Sequence, residues 1–74
     1  MIAMEAVREI MRLKGVRPTA LCDILNIKSN VLSERFKQKN VSVSKLNEML
    51  NPMGYRVVVI PNDVTIPDSG FDVE

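Results

Sequence analysis

The sequence predicts a mainly α domain of four to five short helices, closed by one C-terminal β-strand or hairpin. Three observations carry this. Apolar residues recur at helical spacing through most of residues 1–53. Gly15, Pro18, Asn26, Pro52 and Gly54 stand where helices would begin or end. Tyr55–Ile60 is a run dominated by β-branched residues. The chain has 74 residues, enough for one core and no separate catalytic domain. It divides into a body over residues 1–60 and an acidic tail or arm over 61–74.

The first helix is expected over Ile2–Lys14, where Ile2, Ala6, Ile10 and Leu13 share a face beside Ala3 and Val7. Glu5 and Glu9 early, with Arg12 and Lys14 late, suit its dipole, and Gly15 supplies a left-handed stop. A second, short helix opens at Pro18, whose missing N–H costs nothing at a first helical position; the proline also pushes Arg17 into the extended conformation of a cap. Leu21, Cys22, Ile24 and Leu25 form its apolar side, and Asn26 tolerates the left-handed turn that ends it. The third helix is expected from Ser29 to Gln38, with Leu32 and Phe36 inward and Asn30, Glu34, Lys37 and Gln38 outward. Ile27, in the turn before it, is expected to plug the core. The fourth opens at the N-cap Ser42, with Val41 and Leu46 spaced as a hydrophobic staple. Leu46, Met49, Leu50 and Met53 give its apolar face, and Pro52 and Gly54 finish it.

A strand over Tyr55–Ile60 cannot satisfy its own backbone groups. Either Val64–Ile66 folds back through Pro61-Asn62-Asp63 as a hairpin, or a second subunit pairs with it. The thin core of so short a chain favours a homodimer, with Met53, Tyr55, Val57, Val58, Val59 and Ile60 at the interface. Residues beyond Ile66 are expected to be mobile.

Composition narrows the chemistry. Cys22 is the single cysteine and there is no histidine, so neither an internal disulfide nor a metal site is expected, and no cofactor. No apolar run approaches the roughly 20 residues that span a bilayer, and charged residues interrupt the N-terminal segment. The expected setting is cytoplasmic, without a membrane. The net charge of +1 hides an asymmetry: residues 1–60 carry ten basic and five acidic groups, a net +5, while 61–74 carry four acidic groups and no basic one. A basic body points to an anionic partner.

The second and third segments have the form of a helix-turn-helix, two short helices joined by a turn of about three to four residues. The run Leu21-Cys-Asp-Ile-Leu-Asn-Ile-Lys-Ser-Asn-Val-Leu-Ser33 resembles the helix-turn-helix of the Cro and phage-repressor class, the XRE family. Leu21, Leu32 and Ser33 match that pattern. Cys22 stands for its small alanine, Asn26 for its turn glycine and Ile27 for its apolar turn residue. The likeness extends loosely over residues 4–54. Two departures are Lys28 and Arg17, which occupy positions where capping hydroxyl residues are common. The strand at 55–60 stands where the family has a fifth helix, as in the shorter Cro-like members that dimerise through a strand.

The resemblance implies a homodimeric transcriptional regulator of phage or mobile-element type, a repressor reading a pseudo-palindromic operator in double-stranded DNA with the helix at 29–38. It implies base reading by Ser29, Asn30, Ser33 and Glu34, and phosphate contact by Arg17, Thr19, Lys28, Arg35, Lys37 and Lys39. Asparagine can pair bidentately with adenine, and glutamate can accept from cytosine N4. The plain alternative for Glu34, Lys37 and Lys39 is a solvated helix face. Ser42-Val-Ser-Lys45 matches a Ser-x-x-Lys pattern of acyl enzymes, but opens a surface helix without a companion motif, so no enzyme is expected. A second reading keeps the fold and changes the partner: a protein-interaction module, such as an antitoxin or a mobile-element inhibitor of a host nuclease, contacting its partner through the acidic tail.

Overall fold

Four helices form where the apolar periodicity places them. The computed structural model describes residues 1–73; Glu74, the last acid of the arm, lies outside them. Helix α1 (Ala3–Lys14) is followed by α2 (Pro18–Leu25), α3 (Ser29–Lys37) and α4 (Val43–Leu50), and a 3-10 turn (Asn51–Met53) ends the helical body. The stops are those of the sequence: Gly15 (φ 66°), Asn26 (φ 55°) and Gly54 (φ 83°) all take the left-handed conformation. At Gly15 and Gly54 this is open to glycine at no steric cost, and asparagine is among the few other residues that adopt it readily. Arg17, before Pro18, is extended as expected. Pro52 does not kink α4 but tightens its end into the 3-10 turn.

The core is aliphatic and rich in methionine. Met4, Val7, Ile10 and Met11 from α1 meet Leu21 and Cys22 from α2, Leu32 from α3, and Leu46, Met49 and Leu50 from α4. Val16, Leu25, Ile27, Phe36 and Val41 close its edges. Burying each of these larger side chains contributes about 1.5–3 kcal/mol. Ile27 thus plugs the α2–α3 turn, and Val41 packs as the staple residue. Two assignments need correction. Ile24, read as part of the inner face of α2, is 56% exposed; on an eight-residue helix Leu21, Cys22 and Leu25 already fill the inward sector. Met53, expected at a dimer interface, is 6% exposed within one chain, because the 3-10 turn folds it under α1.

Among the described residues no strand forms, and the expected hairpin is absent. A strand is defined by its ladder, and, among the described residues, 55–60 find no neighbouring strand. The Tyr55 N–H closes back on Leu50 O (3.1 Å), and the Val57 N–H donates to Asn47 Oδ1 of α4 (2.8 Å). Val58, Val59 and Ile60 lie exposed. Pro61-Asn62-Asp63 does turn, with Val64 N–H on Pro61 O (3.2 Å), but no ladder follows. Nor is the end of the arm free of the body: Phe71 packs against the core edge, with its ring 6.3 Å from that of Tyr55. Among the described residues no helix is long and apolar enough to cross a membrane.

Candidate nucleic-acid interface

The placement of α3 follows from its two inward side chains. Leu32 is buried and Phe36 is packed on the core, so the helix can present only its remaining arc. At about 100° per residue, Ser29, Asn30, Ser33, Glu34 and Lys37 fall within one sector of about 140°, and all are exposed. The four residues expected to read bases therefore share one solvent-facing surface.

That surface borders an open groove of about 440 Å³ between α1, the start of α2 and α3. Ser29 and Ser33 form one wall, Pro18 and Thr19 the end, and Arg8 and Arg12 of α1 the other wall; Cys22, Leu32 and Phe36 form its apolar floor. The Arg8 guanidinium lies over the Phe36 ring, 4.7 Å from its centroid, which holds the cation beside α3 while its charge stays in water. Arg12 is bonded to Glu9, one turn earlier on α1. That hydrogen bond first, and the guanidinium charge second, hold the Glu9 carboxyl below its ordinary range; Glu9 in turn raises Arg12.

The helix starts differ in a way that bears on anions. At α1 the Glu5 carboxylate accepts from the Ile2 N–H (3.1 Å), and at α4 Ser42 Oγ accepts from the Lys45 N–H (3.3 Å). The N-caps of α2 and α3, Arg17 and Lys28, make no side-chain cap bond, and neither first turn holds an acid. Free backbone N–H groups at a helix start, with the positive end of its dipole, favour a bound anion. Here two such starts are each flanked by an exposed cation, Arg17 and Lys28.

The residues expected near phosphates separate into two groups. Arg17, Thr19, Lys28, Lys37 and Lys39 are exposed. Lys37 bonds to Glu34 at 3.5 Å, a pair open to water on both sides and easily exchanged. Arg35 leaves the set. Its side chain is 12% exposed and lies 3.4 Å from Glu48 of α4, because it sits on the far side of Leu32 from Ser29 and Ser33 and so faces the next helix. Arg8 and Arg12 were not singled out from sequence. Their i, i+4 spacing on α1 was a usable signal, masked by the acids interleaved with them. The expected dimer residues also separate: Tyr55 and Val57 are half-buried against the body, whereas Val58, Val59 and Ile60 are free. Comparison of the chain with protein-family models, curated proteins and solved structures found no match.

Proposed function

We propose that the protein is a sequence-specific double-stranded DNA-binding regulator, a cytoplasmic homodimeric repressor that reads a pseudo-palindromic operator with α3. The observation that carries this reading is the pair of uncapped, cation-flanked helix starts beside one exposed polar sector. The starts of α2 and α3 supply phosphate contacts through backbone N–H groups, Arg17, Thr19 and Lys28. Ser29, Asn30, Ser33 and Glu34 then face base edges in the major groove, with Asn30 suited to adenine. Arg8 and Arg12 extend the cationic wall along α1. A dimer would set two copies of α3 about 34 Å apart, one helical turn of DNA. Unpaired backbone at Val58–Ile60 supplies the surface for it.

Selection from a random duplex library, followed by binding of the enriched sequence over a range of salt, tests this. The expected result is two half-sites about one turn apart, with affinity falling steeply as salt rises. Asn30→Ala should cost about 1–3 kcal/mol and relax one base position per half-site. No enriched sequence, with weak binding even at low salt, would reject the reading. It would leave the protein-interaction module, which is supported by the exposed acids Asp63, Asp68 and Asp72 of the arm.

A further inference from the structure

A second groove lies on the opposite face of α1, between the body and the arm of the same chain. Its inner wall is a stripe of α1, Ala3, Ala6 and Ile10, beside Leu50 of α4; Ile66 and Phe71 of the arm stand in its outer wall. The hollow between the walls measures about 320 Å³. The residue types account for it. Ala3 and Ala6, one turn apart, reach out by a methyl group only, and Gly70, in the outer wall, has no side chain. Protein interiors pack to crystal-like density, whereas sites for small molecules are mostly apolar hollows of about 300 Å³ or more. This hollow belongs with the second kind.

Its cover is loosely attached. Residues 61–69 are all exposed. The arm's backbone bonds are two local turns, Val64 N–H to Pro61 O and Gly70 N–H to Pro67 O (2.8 Å). Among the described residues no hydrogen bond joins 58–73 to 1–57. Apolar contact holds the arm, with the Phe71 ring 6.3 Å from that of Tyr55. Such a cover lifts to admit a molecule without breaking a polar bond to the body.

Charge narrows the kind of molecule. Arg56 is the one charged side chain among the lining residues, and among the described residues it joins no ion pair. A guanidinium at the edge of an apolar hollow suits a carboxylate, which it can hold by two parallel hydrogen bonds. Asp68 and Asp72 alternate in sequence with the lining residues Pro67, Phe71 and Val73, and their charges disfavour a head group with more than one negative charge. Size follows from a simple scale: an apolar cavity of about 150 Å³ accepts benzene, so this one takes an apolar body on the order of ten carbon atoms.

We propose that the groove between α1, α4 and the arm binds a small amphiphilic monocarboxylate, its apolar body against Ala3, Ala6 and Ile10 and its carboxylate on Arg56. The arm acts as a strap that the bound molecule fastens to the body. The site requires neither DNA nor a second copy.

Titration of the full-length chain with decanoate, and in parallel with decanol, followed by methyl and amide resonances, tests this. The expected result is saturable one-site binding of decanoate, with shifts concentrated at Ala3, Ala6, Ile10 and Ile66. Decanoate should bind about fivefold tighter than decanol, and Arg56→Gln, a change at an exposed position, should remove that difference. Ala6→Leu, which narrows the hollow, should weaken both ligands while helical circular dichroism is retained. Absence of binding, shifts spread over the whole helical body, equal affinity for acid and alcohol, or a preference that survives Arg56→Gln would each overturn the proposal. None of these outcomes bears on the DNA-binding reading, which the duplex selection tests separately.

Discussion

Residues 3–53, the helical body, and residues 58–73, the chain beyond it, carry comparable proportions of apolar residues but solve the backbone problem differently. In residues 3–53 each helix bonds to itself, and its apolar face meets the other helices around Leu21 and Met49, which are wholly buried. In residues 58–73 the backbone bonds are two local turns, and Val58, Val59 and Val64 stand in water, Val59 at 99% exposure. A helix is self-sufficient in hydrogen bonds and needs only one covered face; a strand needs a neighbour before it counts as structure. The body is thus legible as a finished object, and the arm as one part of an assembly.

Five variants test that contrast, from the largest expected effect down. Leu21→Ala removes a wholly buried side chain at the junction of α2 with the core and should destabilise the protein by about 2–5 kcal/mol. For a domain of this size that is most of its stability, so urea titration should show unfolding at low denaturant. A loss below about 1 kcal/mol would mean that the body is not one cooperative unit. Asn47→Ala deletes the one side chain that, among the described residues, holds the backbone after Gly54 to the helices, at Val57, and leaves a half-buried N–H without its acceptor. A cost of about 1–3 kcal/mol is expected. Helical circular dichroism should be retained while amide exchange at Val57 rises; equal loss from body and arm would erase the distinction between them.

Ser42→Ala removes the one hydroxyl N-cap, at α4, and should cost about 1 kcal/mol in chemical denaturation. The same measurement on Lys28→Ser, at the uncapped start of α3, should show a gain rather than a loss, with weaker DNA binding; a loss of stability there would argue that the N-terminus of α3 is already satisfied. The smallest effect is electrostatic. The Glu9 carboxyl is held low by Arg12, so this pair contributes stability that is present above the unfolded carboxylate pKa and lost as pH falls through the folded value. Arg12 is exposed and Glu9 partly so, and the contribution is small and screened by salt. Glu9→Gln should flatten the decline in Tm below about pH 4; an acid limb that superimposes on the parent's would show that the pair contributes nothing.

Much of the body was legible because its signals are local. Gly15, Asn26, Gly54, Pro18 and Ser42 each act within a residue or two of their own position, and each marks a boundary seen in the structure. The exposed sector of α3 was legible for the same reason: Leu32 and Phe36 fix the inward direction and periodicity does the rest. What escaped depends on distant partners. Arg35 looks like any surface cation until α4 brings Glu48 beside it. Asn47 is an ordinary polar residue on α4 until the chain returns to place the Val57 N–H 2.8 Å away. Arg8 and Arg12 become one wall of a groove only when α1 lies across the start of α2. The run Tyr55–Ile60 has strand composition without a strand, because composition states what a segment can pair with and not whether a partner is present.

Cys22 gives the molecule a built-in reporter. It is the chain's one thiol, 7% exposed, at the floor of the groove where α1, α2 and α3 converge. An alkylating reagent reaches its sulfur fully only when those helices part, so the labelling rate counts openings of the helix-turn-helix without any introduced probe. A duplex lying across the groove mouth would slow that reaction. One native atom thereby reports both on the packing of three helices and on whatever covers the surface above them.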